Sequence, residues 1–264
     1  MDVKGVNSRA FQAVNQALLK FTNVSYLEPV PKSNFNKRLM AGLFQTTVPF
    51  CPRGEISGRE TVFDHTVKDF IVTYSILYNR PDQVTIDGIT FPPIDHPDPH
   101  VKLGNIFDAV RQEFKLAEAV FDPAFLKLLN LFILYHDIGK QTDSREAHEI
   151  KGAKAFEAEQ AFFQKFLTSK EIAIVCFLIK YHGLYGQIDK ARRTGTKGPD
   201  LDSLVRELNS LLISNKEKVK LIRILFFFNI VEGLQSDIFS KDFFAGDKHL
   251  DIIDTYRKAV ALLK

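Results

Sequence analysis

The stretch from Asp122 to Lys140 constrains this chain more than any other. Phe125, Leu126, Leu128, Leu129, Leu131, Phe132 and Ile133 cover nearly every face of a helix. A helix apolar all round must lie inside the protein. Its start is marked by Asp122 as N-cap and Pro123 at the first helical position. Its end runs into His136-Asp137-Ile138-Gly139-Lys140, with Gly139 as the stop signal. The chain therefore carries an imidazole and a carboxylate into its own core. Buried groups of this kind need partners. Side by side they can bind one metal ion, and Zn, Mn and Fe(II) all accept such N/O donors.

The 264 residues suffice for one large core, and no linker forces a division. A net charge of +3 neither demands nor excludes a polyanionic ligand. The two cysteines, Cys51 and Cys176, form no disulfide or zinc-finger spacing, which points to a reducing compartment. Residues 1–20 lack a signal-peptide block. The apolar run Ile222 to Val231 is short for a membrane span and includes Arg223 and Asn229. A cytoplasmic protein with no membrane association is expected. The 24 Phe residues fall mostly at core-like positions rather than along a basic stripe, so specific nucleic-acid binding is not expected.

The predicted architecture is all-α, a helical bundle with an irregular N-terminal arm and loop insertions. Residues 1–60 form an amphipathic helix to about residue 20 and then an arm broken by Pro29, Pro31, Pro49, Pro52, Gly54 and Gly58. Residues 61–264 form the helical domain, and the two parts read as one structural unit. Helices are expected from about 63 to 78 (with Asp64 or Thr61 as cap), 103 to 120, 123 to 135, 145 to 167 (capped by Ser144), 169 to 182 (capped by Ser169), 202 to 213 (capped by Asp202), 214 to 237 and 250 to 263. Residues 80–103 read as a long loop with room for a short hairpin at 84–91. Its Asp95, His96, Asp98 and His100 are separated by prolines and suit a rim better than a metal site. Residues 184–200 read as a Gly-rich basic loop.

His65, His136, Asp137, His148 and His182 each stand at or near a helix end within apolar surroundings. Five such groups in an all-helical frame suggest one or two metal ions in the bundle interior. The pattern resembles the HD-domain metal-dependent phosphohydrolase superfamily. The carrying segments are His65 in Phe-Asp-His-Thr, then His136-Asp137-Ile-Gly-Lys140, then His148 in His-Glu-Ile-Lys-Gly-Ala, then His182 in Ile-Lys-Tyr-His-Gly. The likeness covers about residues 61 to 237. Two histidines after the His-Asp pair look like the binuclear branches. These include certain phosphodiesterases, hydrolases of the diadenosine tetraphosphate type, and mixed-valent di-iron oxygenases.

The resemblance implies that His65, His136, Asp137 and a late Asp hold one metal, while His148 and His182 join Asp137 at the second. In the late position this chain has Asn229, with Asp237 eight residues on as the alternative. The implied ions are divalent: Mn, Fe, Ni, Co or Zn, with Mg also allowed. The implied activity is hydrolysis of a nucleotide or other phosphoester by a metal-activated water. Asp137 would bridge the ions, and Lys140 would stabilise charge on the phosphate. Arg192 and Arg193 would grip further phosphates or stand solvated. Two alternatives remain open: a di-iron oxygenase on the same scaffold, and a degenerate domain that binds a nucleotide or a partner without turnover.

Overall fold

The computed structural model describes residues 47–49, 59–79, 84–86, 89–91, 103–119, 122–141, 146–165, 167–235 and 248–263. The expected N-terminal helix, most of the arm, and the His96 and His100 segment lie outside the described residues. Two short antiparallel pairs flank the first long helix in the chain: β1 (Thr47–Pro49) with β2 (Arg59–Thr61) before it, and β3 (Val84–Ile86) with β4 (Ile89–Phe91) after it. The second is the hairpin anticipated at 84–91. Helices make up almost all of the rest, as the apolar periodicity requires.

Four long helices form the frame: α1 (Val62–Tyr78), α4 (Pro123–Tyr135), α7 (Ser169–Tyr181) and α10 (Asn215–Gln235). Between the first two lie α2 (Leu103–Glu113) and α3 (Leu116–Ala119). They are one predicted helix broken at Phe114-Lys115, where Lys115 takes a left-handed φ of 48°. Helix α4 is central, as its composition demands. It packs on α1 and α7, and every side chain from Leu128 to Tyr135 is buried. Asp122 caps it by accepting from the Ala124 and Phe125 amides at 3.0 and 3.1 Å.

After α4 the chain makes a 3-10 turn (Ile138–Gln141) and then α5 (His148–Ala158), which packs on both that turn and α7. The single helix predicted over 145–167 is interrupted at Glu159 and resumes as α6 (Gln160–Phe163). In helix α7, Ser169 is the first helical residue and not the cap. Thr168, not Ser169, is the N-cap, and it exchanges hydrogen bonds with Glu171 in a capping box. Helix α9 (Leu201–Ser210) is likewise capped by Asp200 rather than Asp202.

The larger correction falls on residues 184–200. They contain a helix, α8 (Leu184–Thr194), where a loop was expected. Leu184, Tyr185 and Ile188 bury one face, and α8 packs against α10. Gly186 sits in open space and does not break the helix. Gly195 ends it with φ 65°, the left-handed conformation a helix C-terminus favours in glycine. Helix α11 (Lys248–Ala261) packs against α10. Among the described residues, no helix is long and apolar enough to cross a membrane.

Candidate metal centre

Three helix ends and two helix flanks meet at one point. His65 lies in the first turn of α1, and Asp69 one turn later shows the same face. His136 and Asp137 follow the last residue of α4. His148 opens α5, His182 follows the last residue of α7, and Glu232 comes from the final turn of α10. Their ligand-type atoms fall into two groups. His65, Asp69, His136 and Glu232 form one; Asp137, His148 and His182 form the other. Within each group these atoms lie within 4.8 Å of one another.

Asp137 joins the groups. Its Oδ2 faces the first, 3.3 Å from His65 Nε2 and 3.5 Å from His136 Nε2. Its Oδ1 faces the second, 3.3 Å from His148 Nε2 and 3.5 Å from His182 Nε2. Glu232 Oε1 stands 3.2 Å from both His65 Nε2 and His136 Nε2, and Asp69 Oδ2 stands 3.6 and 3.5 Å from them. In the second group the two Nε2 atoms of His148 and His182 are 3.1 Å apart.

The histidines are oriented from behind. His136 Nδ1 donates to the Ile133 carbonyl and His182 Nδ1 to the Ile179 carbonyl, both at 2.7 Å. A carbonyl only accepts, so each Nδ1 carries the hydrogen and Nε2 is presented to the centre. This outer bonding fixes ring and tautomer in metal sites. His148 is backed by a carboxylate: its Nδ1 is 3.3 Å from Glu149 Oε2, and Glu149 Oε1 accepts from Gln187 Nε2 at 3.1 Å.

The electrostatics call for a cation here. Burial pushes the Asp69 carboxyl up to about 7, with His65 opposing and Glu232 adding to the rise. Burial works against a charged His136, yet Asp137, Glu232 and Asp69 outweigh it and raise His136 to about 10. Burial also opposes the charged forms of Asp137 and Glu232. His136 and Lys140 hold Asp137 well below the usual carboxylate range, and His136 and His65 do the same for Glu232. Among the described residues, both oxygens of Asp69, His136 Nε2 and Asp137 Oδ1 are buried without a hydrogen-bond partner. Such orphaned donor atoms are costly unless something satisfies them. Imidazoles and carboxylates converging on one point are what a divalent ion satisfies, so these residues fit a metal and could hold one.

Lys140, on the 3-10 turn, donates its Nζ to Asp137 Oδ2. Burial lowers its basicity, but Asp137 and Glu232 more than compensate, and it stays protonated. The centre opens on one side: the side chains of His148, Glu232 and Lys140 retain 32, 31 and 24 % exposure, while His136 retains none.

Of the residues singled out in the sequence, His65, His136, Asp137, Lys140, His148 and His182 are brought together. Asn229 differs. Its side-chain nitrogen donates to Leu225 O of its own helix at 2.8 Å, and the carboxylate that reaches the histidines is Glu232, three residues on. Asp237 lies outside the described residues. Arg192 and Arg193 are in the last turn of α8. Arg193 pairs with Asp189 at 3.1 Å, and Arg192 lines a surface cleft with Pro199, Leu201 and Lys258. Two residues of the cluster were missed by sequence reasoning. Asp69 was signalled by its i+4 spacing from His65, and Glu232 by its place one turn beyond Asn229.

In comparisons with known proteins, no protein-family model, no curated protein and no solved structure matches this chain.

Proposed function

We propose that the protein is a metal-dependent phosphohydrolase with a two-ion centre, acting on a nucleotide or another phosphoester. The observation that carries this reading is the division of Asp137, one oxygen toward each donor group. His65, Asp69, His136 and Glu232 would hold one ion, His148 and His182 the other, and Asp137 both. The mixed imidazole and carboxylate donors suit Mn, Fe, Co, Ni or Zn better than Mg. Divalent ions in such a site acidify water and neutralise phosphoryl oxygens.

The chain's own residues complete the site. Protonated Lys140 stands beside the bridging carboxylate and at the open side, where it would meet phosphoryl oxygen as a point charge. Glu149 and the two backbone carbonyls hold the imidazoles in place, so the donors need no reorganisation during the reaction. The buried walls of Phe132 and Phe228 against His136 keep bulk water from the deep side. A fixed cation at the rim favours an anionic substrate, and this supports hydrolysis over oxygenase chemistry on the same donors. With Glu232 supplying the carboxylate that Asn229 lacks, the donor set is complete, which supports turnover over binding alone.

The test is metal content and activity of the full-length chain, wild type against Asp137→Asn. Close to two ions per chain, hydrolysis of a generic phosphoester or a member of a nucleotide panel, and loss of both in the variant are expected. Failure to hydrolyse any of them with Mn, Fe, Co, Ni, Zn or Mg would sink the hydrolase reading. Iron content with substrate-dependent oxygen uptake would replace it with the oxygenase.

A further inference from the structure

Helices α4 and α10 both deliver donors to the metal centre from their C-terminal ends. Between their opposite ends lies a surface cavity of about 560 Å³. That volume falls within the range of small-molecule sites. Phe125, Val219, Val260 and Leu263 form its apolar walls. Its charged groups are Glu118, Asp122, Lys216, Lys220 and Arg223.

Two of these are committed elsewhere. Asp122 caps α4 through Oδ1 and takes Lys220 Nζ on Oδ2. The others, Lys216, Arg223 and Glu118, leave an excess of positive charge. Arg223 stands out. Among the described residues its Nε is buried and has no hydrogen-bond partner. A guanidinium donor withdrawn from water without an acceptor is unfavourable, and its planar fork suits a bidentate oxyanion. Lys216, one face-repeat earlier on the same helix, supplies a second cation at the same cavity.

We propose that this cavity is a second ligand site, distinct from the metal centre, for a small organic phosphate with an apolar body. Arg223 and Lys216 take the phosphate, and Phe125, Val219, Val260 and Leu263 take the body. Such a ligand touches the starts of the two helices whose ends hold His136, Asp137 and Glu232. From Arg223 to Glu232 the helical rise is roughly 13 Å.

The probe is phenylphosphonate, whose P–C bond excludes hydrolysis. Calorimetric titration of the metal-loaded full-length protein is compared with Arg223→Met, Lys216→Ala and Lys140→Ala. Lys216 is exposed, so its variant guards against loss of fold at Arg223. We expect Arg223→Met to weaken binding about tenfold or more, as loss of a charge-assisted pair does. Lys216→Ala should weaken it several-fold, and Lys140→Ala should leave that event in place. No binding of phenylphosphonate to the wild type, binding unchanged by both Arg223→Met and Lys216→Ala, or binding abolished by Lys140→Ala alone would overturn the proposal.

Discussion

Gly139 and His148 touch through their backbones: a Cβ placed on Gly139 would lie 1.8 Å from the His148 carbonyl oxygen. It would also meet the Gly152 amide nitrogen at 2.6 Å. Neither obstacle is a flexible side chain, so one element would have to move. The glycine lets the turn after His136-Asp137 sit directly against the start of α5. This contact sets the distance between Asp137 and His148, and thus between the two donor groups. Gly139→Ala should destabilise the protein by about 1–3 kcal/mol or more, the range for overpacking a close contact. It should also displace His148 from Asp137. Denaturant unfolding and metal titration check both; a variant with wild-type stability and full metal content would contradict the contact.

Glu232 and Asn229 make opposite predictions from neighbouring turns of α10. Glu232→Gln removes a carboxylate 3.2 Å from two imidazoles and should cut affinity for one ion by more than the roughly 10–100-fold that outer-shell changes cost. Asn229→Ala removes a bond to the helix's own backbone and should cost about 1 kcal/mol of stability with metal content preserved. Metal analysis of the two purified variants separates them. If Asn229→Ala loses an ion and Glu232→Gln does not, the donor assignment is reversed.

The contrast also shows what the sequence made legible. His65, His136, Asp137, His148 and His182 could be read because each stands at a helix end, where direction is set by local signals such as Asp122-Pro123 and Gly139. Glu232 lies in the final turn of a helix whose apolar residues cover every face, so periodicity could not say which polar residue points inward. Asp69 has the same difficulty, relieved only by its spacing from His65. Helix α8 was hidden for another reason. Its apolar face is only Leu184, Tyr185 and Ile188, and tertiary packing on α10 outweighs the weak local pattern.

Glu149 acts through His148. Its side chain is 9 % exposed, anchored by Gln187, and packed where a Cβ on Gly183 would collide with it at 2.4 Å. Glu149→Gln should lower affinity for the ion at His148 and His182 by about 10–100-fold, the usual cost of losing a partner behind a ligating histidine. The ion at His65 and His136 should be retained. Paired titrations that show both ions weakened equally would assign Glu149 a general structural role instead.

The pH dependence of chelator-treated protein follows from the same cluster. Asp69 moves from 3.8 to about 7 on folding, and His136 from 6.5 to about 10. Both bind protons more tightly when folded, so the stability they contribute is present at low pH. It is lost as pH rises through about 7 for Asp69 and through about 10 for His136. Asp137 and Glu232 are lowered, so theirs is present above about pH 4 and lost on acidification. The cluster therefore stabilises the chelated chain most in mildly acidic solution and less at each step from pH 5 to 9. Metal reverses the slope, because its ligands must be deprotonated and affinity rises with pH. A free ion at 1,000 times its Kd adds about 4 kcal/mol. Thermal unfolding at pH 5, 7 and 9, with chelator and with added Mn or Zn, should give curves that diverge as pH rises. Parallel curves would mean that these histidines and carboxylates titrate independently of any ion.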